Sequence, residues 1–176
     1  MALTTYTAGE VLTAASLNDN FTFAAANPTA PATAIFNETQ SAATQGGSSV
    51  ASAWTKRTLN TTNINEIASA TLTTSVISLP AGTYLVTASA PFYASSEIKI
   101  RLRNTTDSTT AIVGQNDYAT TGGTAHLNGQ FTIAGTKNFE LQYYCAAAQV
   151  TYGLGVSQPN TGESSVYSII QIQKVA

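Results

Sequence analysis

From Ala34 to the C-terminus, apolar and polar positions alternate with a period of two. Ile98, Ile100 and Leu102 are interleaved with Lys99, Arg101 and Arg103, so one face of that segment enters a core while the other meets water or a neighbour. The run Phe139-Glu-Leu-Gln-Tyr-Tyr-Cys145 repeats the pattern, with Phe139, Leu141, Tyr143 and Cys145 on one side. Gly82–Pro91 follows the turn Leu79-Pro-Ala-Gly82 and carries the Tyr and Val expected of a strand. Leu127–Ile133 and Lys137–Tyr143 flank Ala134-Gly135-Thr136, and a three-residue loop containing Gly predicts a hairpin with a bulge. Ser165–Lys174 has apolar residues on both faces, as in a strand between two sheets or at a subunit interface. Gly46-Gly47, Gly122-Gly123, Gly153-Leu-Gly155 and Gly162 mark loops. About eight to ten strands at this spacing, without a second helix, predict an antiparallel β-sandwich or jelly roll. No fixed-period repeat suggests a β-helix or propeller.

The N-terminal region has a different period. Thr13 is suited to cap a helix opened by Ala14, Ala15 and Ser16, and Leu17, Phe21 and Ala24 then fall at i, i+4 and i+7. A helix over 13–26 is too short to be stable alone in water, so it needs a partner surface. Residues 1–12 read as extended. Asn27-Pro-Thr-Ala-Pro-Ala-Thr33 reads as a linker, because its prolines forbid helix continuation and favour extended backbone. The expected organisation is an anchoring segment over 1–26, a linker over 27–33 and a β-sandwich head over 34–176.

Composition narrows the classes. Charged residues make up 9% of the chain, well under the usual quarter, while 43% are hydrophobic. Disordered chains pair low hydrophobicity with high charge, so a folded chain with a Thr-rich surface is expected. Such a surface suits strands buried between like subunits, where unpaired charges would be costly. A net charge of −2 gives no attraction for a phosphate backbone, so nucleic acid is not an expected partner. No apolar run is long enough to cross a membrane, and no basic region followed by an apolar core suggests a secretory signal.

Few residues invite chemistry. Cys145 is the sole cysteine and reads as a buried small hydrophobe rather than a reactive thiol. His126 is the sole histidine, with no nucleophile motif beside it and no acidic pair whose spacing stands out, so an enzyme is not expected. No cofactor is implied. Asp107, Asn116 and Asp117 could hold an ion in a loop, although no Asp-x-Asp metal-loop pattern is present. Trp54 could stack on a sugar ring, although a lone Trp among strand residues is more ordinarily core or subunit interface. Arg57, Arg101 and Arg103 could grip an anionic glycan, or pair with Glu97 and Glu140 of a neighbouring subunit or lie solvated. Tyr93, Tyr118, Tyr144 and Tyr152 lie near strand ends or loops, where rigid sandwiches carry recognition. Tyr118 beside Thr120–Thr124 and Tyr152 beside Gly153–Gly155 are the leading ligand-contact candidates, with Tyr93 third; each could equally be packing.

Two stretches resemble known proteins. Gly9-Glu-Val-Leu-Thr-Ala-Ala-Ser-Leu-Asn18 resembles the start of bacteriophage fibre proteins, where such a segment precedes a shaft or head. That resemblance makes Leu12, Leu17 and Phe21 the expected anchoring contacts to another virion protein. Over 34–176, the order of Trp54-Thr-Lys-Arg57, Leu79-Pro-Ala-Gly-Thr-Tyr84, Ala88-Ser-Ala-Pro91, Arg101-Leu-Arg-Asn104, Gly129–Ile133, Phe139–Gln142 and Val166…Lys174 resembles phage fibre-head and tail-tip domains with a C1q/TNF-like trimeric jelly roll. The resemblance implies a homotrimer with its C-terminal strand near the three-fold axis. It implies a virion protein, made in a host cytoplasm, that either contacts a host surface glycan or decorates a capsid with no receptor role. Fold alone does not choose between these.

Overall fold

The computed structural model describes residues 5–11, 13–15, 18 and 30–176. Residues 1–31 and 32–176 form two separate compact units. In the first, Ala14, Ala15 and Asn18 have helical backbone. Leu12, Leu17, Phe21 and Ala24, the expected apolar contacts of this segment, lie outside the described residues. The stretch expected to be extended contains a turn. The Glu10 amide donates to the Thr7 carbonyl at 3.1 Å, Glu10 Oε2 accepts from the Thr7 amide at 3.0 Å, and Gly9 supplies the required φ of +94°.

The second unit is an eleven-stranded antiparallel sandwich: β1 (Ala32–Gln40), β2 (Thr55–Lys56), β3 (Thr61–Asn65), β4 (Thr71–Thr73), β5 (Val76–Leu79), β6 (Gly82–Phe92), β7 (Ser96–Asn104), β8 (Thr109–Ala119), β9 (Gly123–Ile133), β10 (Lys137–Cys145) and β11 (Ser165–Lys174). One sheet runs β3-β1-β11-β6-β9; the other runs β4-β5-β10-β7-β8, with β2 also paired to β10. β1 begins at Ala32, so Ala32 and Thr33 of the expected linker are already paired with Lys174 and Gln173.

Alternation predicts the layers well. Ile98, Ile100 and Leu102 of β7, Phe139, Leu141, Tyr143 and Cys145 of β10, and Tyr84, Val86 and Phe92 of β6 are all buried between the sheets. β11 lies inside its sheet, with Ile170 and Ile172 fully buried and Val166 and Ile169 exposed on the other side. Its two-faced apolar pattern therefore comes from a strand with one face in the core and one outside.

The expected hairpin does not form: β9 pairs with β6, and β10 pairs with β7, β5 and β2 in the opposite sheet. Ala134-Gly135-Thr136 crosses between the layers. The cross-layer contact of Phe131 with Phe139, at 4.9 Å between ring centroids, takes the place of ladder hydrogen bonds.

Candidate functional site

Three surfaces bear on function: one end of the sandwich and its two outer faces. The end is formed by the loops β1–β2, β6–β7, β8–β9 and β10–β11. Backbone hydrogen bonds lace them together: Tyr93 N to Gly153 O at 3.2 Å, Ser95 N to Ala119 O at 2.9 Å and Leu154 N to Gly47 O at 3.0 Å. The Ser95 hydroxyl, fully buried, lies within hydrogen-bond distance of the Tyr93 and Gly153 carbonyls, at 3.0 and 3.2 Å. These bonds bring the three sequence-predicted tyrosines to the same end. Tyr93 and Tyr152 meet edge to face with centroids 6.2 Å apart, and the exposed Tyr118 accepts from the Ser96 hydroxyl at 3.1 Å. Val50, Val150 and Val156 are exposed on the same loops. β1 starts at the opposite end, where Ala32 faces Lys174 and Gly82 faces Ile133.

The outer face of the five-stranded sheet is almost free of charge. Its strands carry two formally charged residues: Glu38, which is buried, and Lys174, at the last position of β11. Ile64, Leu85, Val166 and Ile169 are each 40–48% exposed there. Two adjoining open grooves, of about 570 and 460 Å³, run over β11, β6 and β9 and share Thr87, Asn128 and Gln171; the larger is also bounded by Val113, Gly114 and Gln115 of β8. His126, paired in register with Ser89, lines the larger groove. No carboxylate hydrogen-bonds His126 among the described residues, and none of their His, Cys, Asp and Glu side chains form a group of three or more able to hold a metal.

The six-stranded sheet carries most of the strand charges: Lys56, Glu97, Lys99, Arg101, Arg103, Asp117, Lys137 and Glu140. Asp107 is bound by Lys137 at 2.6 Å and Asn104 at 2.9 Å, and these partners hold its carboxyl below the usual range. Trp54 is neither core nor free. It is 37% exposed, with the Arg101 guanidinium 4.0 Å over its ring and Tyr144 at 5.7 Å.

Arg57 departs from expectation, because it has no access to a glycan or a neighbouring subunit. It lies wholly between the sheets, where Nε donates to Ser168 Oγ at 2.6 Å and Nη2 donates to Glu38 at 3.3 Å and to the Leu154 carbonyl at 3.0 Å. Phe92 and Tyr143 lie against the guanidinium. Burial brings it down to about 10, against the opposing pull of Glu38. Burial likewise raises the Glu38 carboxyl above its usual range, more than the Arg57 charge lowers it. The available signal was Arg57 sharing a face with buried Leu59 while Lys56 and Asn60 are exposed. Cys145 is buried, as the alternation predicts; its thiol donates to the Val50 carbonyl and is pushed up by that burial.

Two solved structures share this layout. Murine APRIL matches with a TM-score of 0.53 at 9% identity, covering 82% of this chain and 98% of that one. The Eiger TNF of S. frugiperda matches at 0.52 and 18% identity, covering 84% and 94%. The fold is a C1q/TNF-like jelly roll. The globular domain of zebrafish complement 1qA is also similar, at a TM-score of 0.48 and 12% identity, covering 84% of this chain and 98% of that one. No protein-family model matches the sequence, and no curated protein matches it. Among the described residues, no helix is long and apolar enough to cross a membrane.

Proposed function

We propose that this chain is a homotrimeric virion protein of a bacteriophage. In this reading residues 32–176 form the head of a fibre or tail tip that contacts a host surface glycan, and residues 1–26 join it to another virion protein. The observation that carries the trimer is the outer face of the five-stranded sheet. A face with four half-exposed aliphatic side chains, two adjoining grooves and no formal charge beyond its terminal Lys174 is suited to burial against neighbouring subunits around a three-fold axis. Cyclic symmetry closes such an assembly. The tyrosine-bearing loops lie at the end remote from the start of β1, which suits recognition directed away from an N-terminal attachment. The virion assignment rests on the sequence resemblance of residues 9–18 and 34–176 to phage fibre proteins.

The deciding experiment is gold-labelled antibody against residues 34–176 on intact particles, with light scattering on the purified chain. The reading expects a trimer mass and label at the tail end. Label spread over the capsid would replace host contact with a decoration role, and a monomer would remove the trimer. Deleting residues 1–26 is expected to leave a folded trimer that no longer joins particles; continued incorporation would overturn the anchor.

A further inference from the structure

The outer face of β7 holds a row of cations with no carboxylate partner among the described residues. Lys99, Arg101 and Arg103 stand on it at alternate positions, so at about 3.3 Å per residue the row spans about 13 Å. β10 and β8 flank β7 on either side, which places the row inside the sheet rather than on a mobile edge. The ion pairs among the described residues are Lys56–Glu140, Arg57–Glu38 and Lys137–Asp107, and none includes these three cations. Register sets Arg103 opposite Glu140, but that carboxylate is engaged by Lys56 at 3.7 Å and by the Gln142 amide at 2.8 Å. Glu97 is the one acid on the strand. Like charges in a row cost stability, and burial together with the Arg103 charge lowers the Arg101 guanidinium below its ordinary value.

A second feature stands beside the row. Arg101 is clamped by Gln142 Oε1, which accepts from Nε at 3.0 Å and from Nη2 at 2.8 Å, and its guanidinium lies 4.0 Å over Trp54. Tyr144, in register with Lys99, packs against the same indole. The result is a half-exposed aromatic pair beside a row in which Lys99 and Arg103 lack an ion-pair partner and Arg101 is held by Gln142, Thr110 and Trp54.

We propose that this face binds an acidic polysaccharide, with carboxylate or sulfate groups on Lys99, Arg101 and Arg103 and a sugar ring against Trp54 and Tyr144. Guanidinium groups suit planar bidentate anions, and an aromatic ring offers a flat apolar surface to a pyranose. A nucleic acid is a poorer fit, since backbone binding draws on many more phosphate contacts than three cations supply. The site is separate from the tyrosine loops and belongs to the isolated chain, so its test does not depend on the trimer or virion reading.

Trp54 is the sole tryptophan, and its emission therefore reports the site without any substitution. The full-length chain is titrated at low ionic strength with polygalacturonate, dextran sulfate, neutral dextran and oligothymidylate. Polygalacturonate or dextran sulfate is expected to shift the Trp54 emission and protect it from acrylamide, while neutral dextran has no effect. Added salt should reverse the change. The double substitution R101Q/R103Q should weaken binding about tenfold or more, a difference of 1.4 kcal/mol. Absence of binding by either acidic polymer would overturn the proposal. So would binding that leaves Trp54 unmoved, or oligothymidylate acting as strongly as the acidic polysaccharides, which would make this a generic polyanion surface.

Discussion

The two outer faces of the sandwich are built from the same kind of strand, yet they dispose of their polar groups differently. On the five-stranded sheet, Thr87, Asn128, Gln130, Gln171 and Gln173 surround exposed Leu85 and Ile169, with no charge among them. On the six-stranded sheet, β7 alone carries Glu97, Lys99, Arg101 and Arg103. Amide and hydroxyl groups can be desolvated if they find partners across an interface, whereas unpaired charges cannot be buried cheaply. The low overall charge of the chain is thus unevenly spread: one face is left ready for burial and the other is kept for water or for a charged ligand. The single exception, the Arg57–Glu38 pair, lies between the layers.

The comparison breaks most directly by placing a charge on the uncharged face. Ile169→Glu should abolish self-association, seen as a drop from trimer to monomer mass with the β circular-dichroism signal retained. A trimer that survives would place the interface elsewhere. Next in size is Arg57→Met, which strands Glu38 in the core and removes the hydrogen bonds to Ser168 and Leu154. A loss of about 3 kcal/mol is expected, read as a fall in melting temperature at fixed protein concentration. Changing Glu38 to Leu as well should recover most of it, because an apolar pair of similar volume carries no desolvation cost.

A smaller effect follows from the raised Glu38 carboxyl. The folded chain holds that proton at pH values where the unfolded chain has released it. The stabilisation is therefore complete below the usual carboxylate range and lost as pH rises through the raised value. Glu38→Gln should remove this titration, so its melting temperature relative to wild type should climb between pH 4 and pH 7. A constant difference would show that Glu38 titrates normally. The smallest effect sharpens the contrast between the faces. Arg103→Gln, on the charged side, should leave the trimer mass unchanged and alter stability within about 0.5 kcal/mol. Loss of assembly there would mean that the charged face also takes part in the interface.

Strand positions were legible wherever alternation was strong. β6, β7, β10 and β11 occupy the expected stretches because a half-buried strand must alternate. The β4–β5 turn had no such signal. Thr74 and Ser75 take φ values of 48° and 63°, a conformation normally announced by Asn or Gly, and Ser75 is held there by hydrogen bonds between its hydroxyl and the Leu59 backbone. Tyr93 and Tyr152 were legible as loop aromatics and Tyr118 as one near a strand end, but their arrival at one end was not, since Tyr93 and Tyr152 are joined only through the fold.

By itself, the sequence determined that this would be a β-sandwich of low charge, and which side of most strands would face the core, because period-two alternation is a local property of the backbone. Only the tertiary structure decided which sheet each strand joined. Ala134-Gly135-Thr136 is equally able to close a hairpin or to cross between layers, and the cross-layer packing of Phe131 on Phe139 accompanies the second outcome. The same holds for the charges. Arg57 and Arg101 are chemically alike and both sit among strand residues, but one is enclosed with Glu38 and the other lies over Trp54 at the surface. That difference is set by partners distant in the chain, which alternation alone does not encode.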